Sequence, residues 1–268
     1  MKPGVYTAVK KDGTPYYRSS ITYKNKHISL GSFPTETAAN LAYHLADSIL
    51  HNPAYTLEEF SNHSQVISFR KWVCLVNFRD NGIYIKTPIY LRQKYFHYYF
   101  SLEDYYLFDI DDLFYYSTHT ITRRGGHLFV SDYGMQVNIL SRYGIKNYGV
   151  AGRDFLFVNG DKRDFRYENI EIINRYHGVF RKNIKGKTLY ETRIHWNGEF
   201  IVGRYHTETE AAIAYNKAAS ILIIKGYDKK YPVNYLEELS TEDYKEYFKS
   251  LKISDTIKAL PQNKESNI

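Results

Sequence analysis

A run of amides and carboxylates beginning at residue 159 has the residue types of a metal-dependent hydrolytic site. Its oxygen ligands of the kind that Mg²⁺ takes are Asn159, Asp161, Asp164 and Asn169. Hydrolysis of a phosphodiester also requires a group that takes a proton from the attacking water, most often histidine. Residues 154–176 contain no histidine. The run therefore has the polar residues of a nuclease site without its usual base.

The run resembles the core of the His-Asn-His (HNH) endonucleases, a hairpin followed by a helix around one metal ion. The residues that match are Asn159, Gly160, Asp161, Asp164, Arg166, Asn169 and Ile170. In that family a catalytic histidine and a metal-binding acid stand where this chain has Phe157 and Leu156, and an upstream His-Arg pair is Ser141-Arg142 here. Phenylalanine cannot accept a proton, and leucine cannot bind magnesium. Of the metal ligands usual in that family, only Asn169 is retained here.

The nearby groups that could replace the missing ones have the wrong spacing; they are Asp154, His119, His127 and His177. The resemblance therefore implies a central strand-rich domain with an HNH-like (ββα) fold, residues 66–176, that has no catalytic residue, no metal site and no cofactor. Asp164 would cap the helix, and Arg166 would contact backbone phosphate. Mg²⁺ is expected only under the alternative, an active HNH-type homing endonuclease or nickase whose site is built differently.

Two distant stretches of the chain repeat each other. "TETAANLAYHLADSIL" begins at Thr35 and "TETEAAIAYNKAASIL" at Thr207, and ten of sixteen positions are identical. The similarity extends upstream to Gly4 and Gly178. We call residues 4–50 the first repeat and residues 178–222 the second repeat. One module is thus present twice, with other sequence between the copies.

Each repeat is predicted to form three strands and then a helix. In the second repeat, residues 190–195 alternate with a period of two, and Asn197-Gly198 is a hairpin signal. Thr207 with Glu210 forms the sequence of a capping box, whereas the first repeat has Ala38 in place of the glutamate. Leu41, Ala42, Leu45 and Ile49 recur at helical spacing.

Charge separates the strands of each repeat from the helix. Residues 1–33 contain six lysine or arginine residues and one acid, and residues 175–206 contain seven and two. Residues 34–59 contain four acids and no lysine or arginine. With the helix on one side of the sheet, the other side is expected to be exposed and basic. Such a sheet fits the major groove of DNA.

"LGSFPTETAANLAY" and "VGRYHTETEAAIAY" resemble the end of the apetala/ethylene-response-factor DNA-binding domain, whose sheet enters the major groove. The resemblance implies that alternate strand residues meet DNA. In the first repeat these are Ser20, Thr22, His27 and Ser29, supported by Lys10, Lys11, Arg18, Lys24 and Lys26. In the second they are Lys182, Arg193, His195, Glu199 and Ile201, with Arg204 as a further cation. Glu199 and Ile201 are poor phosphate ligands.

The composition is consistent with these expectations. The formal net charge is +7, which suits a polyanionic partner. The single cysteine excludes an intramolecular disulfide and favours a reducing compartment. No apolar run is long enough to span a membrane. The sequence predicts an α+β protein with double-stranded DNA as partner and no membrane partner. The family resemblances imply that it acts in the cytoplasm of a bacterial or phage-infected cell.

The predicted organisation is a first sheet-plus-helix module over residues 1–60, the HNH-like domain, a second module over residues 177–240, and a C-terminal helix with a tail over residues 241–268. The favoured function is a sequence-specific DNA-binding regulator that descends from a homing endonuclease and does not cut. Besides the nickase, a protein-interaction scaffold stays open.

Overall fold

The computed structural model describes residues 2–147, 149–227 and 230–263. The chain forms two compact units. Unit 1 comprises Met1–Asn138 and Phe157–Ile170, and unit 2 comprises Ile139–Leu156 and Glu171–Ile268. The fold is mixed α+β with several small three-stranded antiparallel sheets, so the predicted fold class is confirmed at that level.

The helices and strands follow one another in many short elements. The strands are β1 (Val5–Val9), β2 (Pro15–Tyr23), β3 (Lys26–Phe33), β4 (Ile89–Leu91), β5 (Tyr95–Tyr99), β6 (Tyr105–Asp109), β7 (Ile121–Arg124), β8 (His127–Asp132), β9 (Met135–Asn138), β10 (Phe155–Phe157), β11 (Ile170–Ile172), β12 (Val179–Ile184), β13 (Lys187–His195) and β14 (Glu199–Tyr205). The α-helices are α1 (Glu36–His51), α2 (Phe69–Asn81), α3 (Leu113–Thr118), α4 (Glu208–Ile224), α5 (Thr241–Ser250) and α6 (Asp255–Lys258). Short 3-10 turns cover Glu58–His63, Ile110–Asp112, Ile139–Tyr143 and Tyr167–Asn169. Within the described residues, no helix combines the length and apolar character needed to cross a bilayer.

The first repeat forms the antiparallel sheet β1-β2-β3, with α1 packed on one side. Thr35 caps α1 because its hydroxyl accepts a hydrogen bond from Ala38 N. Ala42, Leu45 and Ile49 are buried as predicted, whereas Leu41 is 54% exposed. The stripe that meets the sheet is therefore offset from Leu41, and small alanines allow the helix to approach the strands closely.

The second repeat forms the sheet β12-β13-β14 with α4 packed on it. The predicted capping box is present: Thr207 accepts from Glu210 N, and the Glu210 carboxylate accepts from the backbone of Thr207. The turn at Asn197-Gly198 is also present, with three residues between the paired His195 and Glu199 rather than two. Thr192 joins sheet to helix, since its Oγ1 donates to Ala211 O over 2.8 Å.

The repeats share two backbone devices that explain why both copies fold alike. Each second strand pairs with the third through a β-bulge at the matching position, between Ser19 and Ser20 in one copy and between Thr192 and Arg193 in the other. Gly4 and Gly178 precede the first strands, both at φ +68°. A Cβ at either glycine would lie within 2.5 Å of a tyrosine ring from the helix, so the close contact requires glycine.

The central sequence contains more helix than its strand-rich texture suggests. The helix α2 begins after the capping Ser68 and ends at Gly82 in the left-handed conformation. Its middle, Trp72–Phe78, is buried throughout, and it shares one core with the sheet and helix of the first repeat. Two three-stranded sheets, β4-β5-β6 and β7-β8-β9, follow. At the other end, the predicted C-terminal helix stops at Ser250 and a separate turn of helix, α6, comes after it.

Candidate nucleic-acid interface

The side of each repeat sheet that faces away from its helix is what we call the open face. Strand pairing aligns the two open faces row by row. In the first repeat the rows are Tyr6, Arg18 and Ser32, then Ser20 and Ser29, then Thr22 and His27. In the second repeat they are Phe180, Glu191 and Arg204, then Arg193 and Ile201, then His195 and Glu199. The same scaffold therefore presents two different sets of side chains.

The open face of the second repeat is organised by a carboxylate. Glu191 is only 3% exposed although it lies on this face. Its Oε1 accepts from Nε and Nη2 of Arg193 at 2.9 and 2.6 Å, and its Oε2 accepts from Nε of Arg204 at 2.8 Å. Nη2 of Arg204 is also 2.8 Å from Oε2. We call these three residues the arginine clamp.

The electrostatics of the arginine clamp favour its charged form. Burial alone would raise the pKa of Glu191, but the hydrogen bonds from Arg193 and Arg204 outweigh it, and the pKa is lower than its usual value. The guanidinium of Arg193 also lies 5.4 Å from the centre of the Phe180 ring, a cation–π contact. The two arginines are thus fixed in position while remaining 35% and 52% exposed.

The open face of the first repeat is held together differently. Arg18 donates from Nε and Nη2 to the hydroxyl of Tyr16, at 3.2 and 2.8 Å, and no carboxylate takes part in that contact. Thr22 and His27 form a cross-strand pair with 3.4 Å between Oγ1 and Nδ1. Beside this face lies a groove of about 810 Å³, lined by Val9, Lys10, Lys11, Thr14, Pro15, Tyr16, Ser32, Phe33 and Pro34.

Most of the residues predicted to meet DNA are exposed, each on the open face or at a turn of its own repeat. Arg18, Thr22 and His27 are exposed on the first open face, and Lys182, His195 and Arg204 on the second. Lys10 and Lys11 lie at the β1–β2 turn, and Lys24 and Lys26 at the β2–β3 turn. Ser20, also predicted as a contact residue, is only 8% exposed, so little of its side chain is available to a partner. The residues that precede β1 lie beside Ser20, and the backbone N–H of Ser20 donates a hydrogen bond to Gly4 O.

The third strand of the second repeat offers few side chains that could bind phosphate. Ile201 is 47% exposed, and Glu199 lies 3.6 Å from Nδ1 of His195. An exposed isoleucine and a carboxylate give this strand little attraction for phosphate. The cations of the second open face are therefore concentrated at the other end of the sheet, in the arginine clamp and Lys182.

The HNH-like run folds into a loop held by its own polar side chains. Asn169 is 3% exposed; its Oδ1 accepts from Asn159 N at 2.7 Å, and its Nδ2 donates to Asp164 O at 2.8 Å. Asp164 is 1% exposed and accepts from Arg166 Nε and Nη2 at 2.9 and 2.7 Å. Burial would raise the pKa of Asp164, but the Arg166 hydrogen bonds outweigh it and hold the pKa below its usual value. These residues have structural partners in place of a metal ion.

The helix that the HNH resemblance implies is absent. The strand β11 follows a 3-10 turn, none of residues 173–178 is helical, and β12 comes next. The (ββα) expectation is therefore wrong for the last element, and Asp164 caps no helix. Residues 173–178 instead lead into the second repeat, whose first strand begins at Val179. Phe157 packs edge-to-face on Phe165, with 5.4 Å between ring centres.

Asp154, considered above as a replacement group, and Arg166 also have structural contacts. Asp154 is fully buried in unit 2, with Oδ1 at 2.8 Å from Lys146 Nζ and Oδ2 at 2.9 Å from Arg153 Nη2. Arg166, expected to contact phosphate, is engaged instead by Asp164 and by Glu168, whose Oε1 lies 2.9 Å from Nη1. In the described part of the chain, no group of three or more histidine, cysteine or acidic residues could hold a metal ion.

Comparison with protein-family models, with curated proteins and with solved structures gives no match to this chain.

Sequence reasoning missed the residue that organises the second open face. Glu191 was not among the predicted contacts. Its signal was the alternation in "YETRIH", which places Glu191 and Arg193 on one face. The missing information was the register of β14, since only the bulge aligns Arg204 with Glu191.

Proposed function

We propose that this protein binds double-stranded DNA through the open faces of its two repeat sheets and does not cut it. The partner is the duplex, and the two sheet-plus-helix modules are its binding elements. Two linked modules bind more tightly than either alone when both reach one duplex, because the second contact is intramolecular.

The arginine clamp is the observation that carries this proposal. The hydrogen bonds to Glu191 use Nε and Nη2 of Arg193 and Nε of Arg204, Nη2 of Arg204 forms an ion pair with the same carboxylate, and in the described part of the chain no hydrogen bond uses either Nη1 atom. Further N–H donors of two guanidiniums are therefore available at a partly exposed surface. Arginines fixed in this way lose little conformational entropy on binding, and their planar groups suit phosphates and base edges.

The scaffold supports the same function. A three-stranded sheet with a helix on only one side leaves a surface that a major groove can admit. In the first repeat the exposed cations surround this surface, at both turns and on β2. The proposal takes no proton acceptor or metal ligand from the HNH-like loop, in which the Asp164 carboxylate accepts from Asn159 and Arg166 and the Asn169 amide donates to Asp164 O.

The favoured biological role is a sequence-specific regulator in a bacterial or phage-infected cell, located in the cytoplasm. This role follows from the family resemblances, and cutting is not part of it. An active nickase and a protein-interaction scaffold are the outcomes that would replace it.

Selection of bound fragments from a random duplex pool, with and without Mg²⁺, tests the proposal. We expect a shared sequence motif in the bound fraction and intact strands in both conditions. The matched variants are Arg193→Ala with Arg204→Ala, and Lys245→Ala with Lys249→Ala on α5 as a control that removes the same charge. The first pair should lower affinity at least about tenfold, the second should leave it nearly unchanged. Mg²⁺-dependent strand breaks would establish the nickase, and failure to bind any duplex at low salt would favour the scaffold.

A further inference from the structure

A cluster of cations in unit 1 has no carboxylate partner. It comprises Lys26 at the start of β3, Arg70 and Lys71 in the first turn of α2, and Lys86 in the segment that follows α2. In the described part of the chain, no ion pair involves any of these four side chains. We call them the α2 cation cluster.

The cluster is held together around Tyr84. The ammonium groups of Lys26 and Lys71 lie 5.9 and 5.7 Å from the centre of the Tyr84 ring, and Lys71 Nζ donates to the Tyr84 hydroxyl at 3.1 Å. Burial raises the pKa of that hydroxyl to about 12, so it stays neutral and supplies no counter-charge. The aromatic ring offsets only part of the repulsion between the two ammonium groups.

Arg70 adds a guanidinium oriented by neutral groups alone. Its Nε donates to Lys86 O at 3.2 Å, and its Nη2 donates to Thr120 Oγ1 at 3.0 Å. Burial lowers the pKa of Lys71, and the positive charges of Arg70 and Lys86 lower it further. Like charges are therefore gathered here at an electrostatic cost that the Tyr84 ring offsets only in part.

The cluster continues the proposed interface of the first repeat. Lys26 belongs both to the cluster and to the set of cations around the first open face. Arg70 and Lys86 lie outside that set, in sequence that the repeat does not include. A polyanion that contacts Lys24 and Lys26 would supply the missing negative charge to the cluster.

We propose that the α2 cation cluster binds a backbone phosphate of the same DNA duplex that the first open face contacts. This inference rests on the proposed function and extends it, because it assigns DNA contact to the central sequence outside either repeat. A phosphate between a guanidinium and ammonium groups would accept charge-assisted hydrogen bonds from several of them. Such a contact reads no sequence, and its free energy weakens with salt.

Duplex binding of the full chain carrying Arg70→Gln and Lys86→Gln tests this inference. We expect affinity to fall about five- to tenfold at 100 mM salt, and the slope of log K against log salt to fall by about 2, with the preferred sequence unchanged. Lys245→Gln with Lys249→Gln on α5 is the control of equal charge. Lys86→Gln alone, whose side chain makes no hydrogen bond within the described residues, should give about half of the slope change even if the Arg70 change perturbs folding.

The outcomes separate this inference from the proposed function. If the wild-type protein binds no duplex, both the proposed function and this inference are contradicted. Duplex binding that falls equally in the cluster and control pairs, or in neither, would overturn the cluster alone. Loss of binding to heparin with duplex binding unchanged would also overturn it, since the site would then serve another polyanion.

Discussion

The two repeats keep one scaffold and differ where a partner would touch them. Both have a glycine before the first strand, a bulge at one register position and a threonine cap on the helix. Where the first repeat has Arg18 on its open face, the second has the buried Glu191, and Ser32 corresponds to Arg204. The first face is surrounded by dispersed lysines, whereas the second concentrates charge in the arginine clamp. Duplication preserved what the backbone requires and changed what the surface presents.

The comparison extends to how each helix is covered. The outer side of α1 packs against α2, in one core with the first sheet. The outer side of α4 packs against residues from the C-terminal segment, including Ile253 and Ile257. Each copy thus buries its helix on two sides with sequence that the repeat itself does not contain. This dependence explains why neither repeat needs a large core of its own.

The largest expected effect is on the free energy of unfolding, and it concerns the glycine that precedes the first strand of each repeat. We predict that Gly178→Ala lowers the free energy of unfolding by about 4 kcal/mol, from left-handed strain and overpacking. Its Cβ would lie 2.3 Å from both Arg193 O and the buried Tyr215 ring. Gly4→Ala should cost less, about 2–3 kcal/mol, because the three heavy atoms nearest to its new Cβ all belong to the half-buried ring of Tyr43 and none is a backbone atom. Chemical denaturation with amide hydrogen exchange of each repeat measures both; equal costs would show that backbone contact at Arg193 O is unimportant.

The second effect concerns the arginine clamp and its pH dependence. We expect Glu191→Gln to lower the free energy of unfolding by about 2 kcal/mol, a value discounted for the exposure of both arginines. Because the folded pKa of Glu191 is lowered, its contribution is present above pH 4.5 and is lost as pH falls below that value. The variant should lack that part of the acid sensitivity. Tyr16→Phe, which removes the partner of Arg18, is the counterpart in the first repeat and should cost under about 0.5 kcal/mol.

A smaller effect distinguishes two buried hydroxyls at matching positions. Thr192 Oγ1 donates to Ala211 O, whereas the buried Ser19 Oγ has no hydrogen-bond partner in the described part of the chain. Thr192→Val should therefore cost about 1 kcal/mol, and Ser19→Ala should be neutral or stabilising. Thermal denaturation of the two variants tests this. A destabilising Ser19→Ala would mean that its hydroxyl is satisfied in solution.

The smallest effect comes from adding to the first repeat the capping-box glutamate that the second repeat already has. Ala38→Glu places a glutamate three residues after Thr35 and should stabilise α1 by about 0.5 kcal/mol. Glu210→Ala should cost the second repeat a similar amount. Hydrogen exchange at the start of each helix reads the change directly. No gain in the first repeat would indicate that the loop before α1 cannot form the reciprocal bond.

Local signals predicted the repeats because the relevant residues are close in sequence. The threonine caps, the Asn197-Gly198 turn and the strand alternation are short-range patterns, and they placed β12–β14 and α4 correctly. The helix α2 was missed because Trp72–Phe78 is buried on all sides and has no polar stripe, although Ser68 and Gly82 mark its ends. Glu191 and Arg204 meet only through strand register, which no local pattern encodes.

The HNH-like run illustrates the opposite limit of sequence reasoning. Its Asn-Gly-Asp and Asp-x-Arg residues match a family pattern, yet in the fold they bond to one another. Asn169, the surviving ligand-type position, serves the backbone at Asn159 and Asp164. Residues 173–178 are not helical and lead into the second repeat. Matching residue types predicted a hairpin and a helix, whereas the contacts show a loop whose polar side chains bond within it.

The salt dependence of duplex affinity tests the central claim most directly. For the wild-type chain, the slope of log K against log salt should be negative and steep, as phosphate contacts require. Arg193→Ala with Arg204→Ala should reduce both affinity and slope more than Arg18→Ala does, because the clamp concentrates the charge of the second open face. A slope near zero, or an affinity that neither set of changes alters, would contradict duplex binding through these faces.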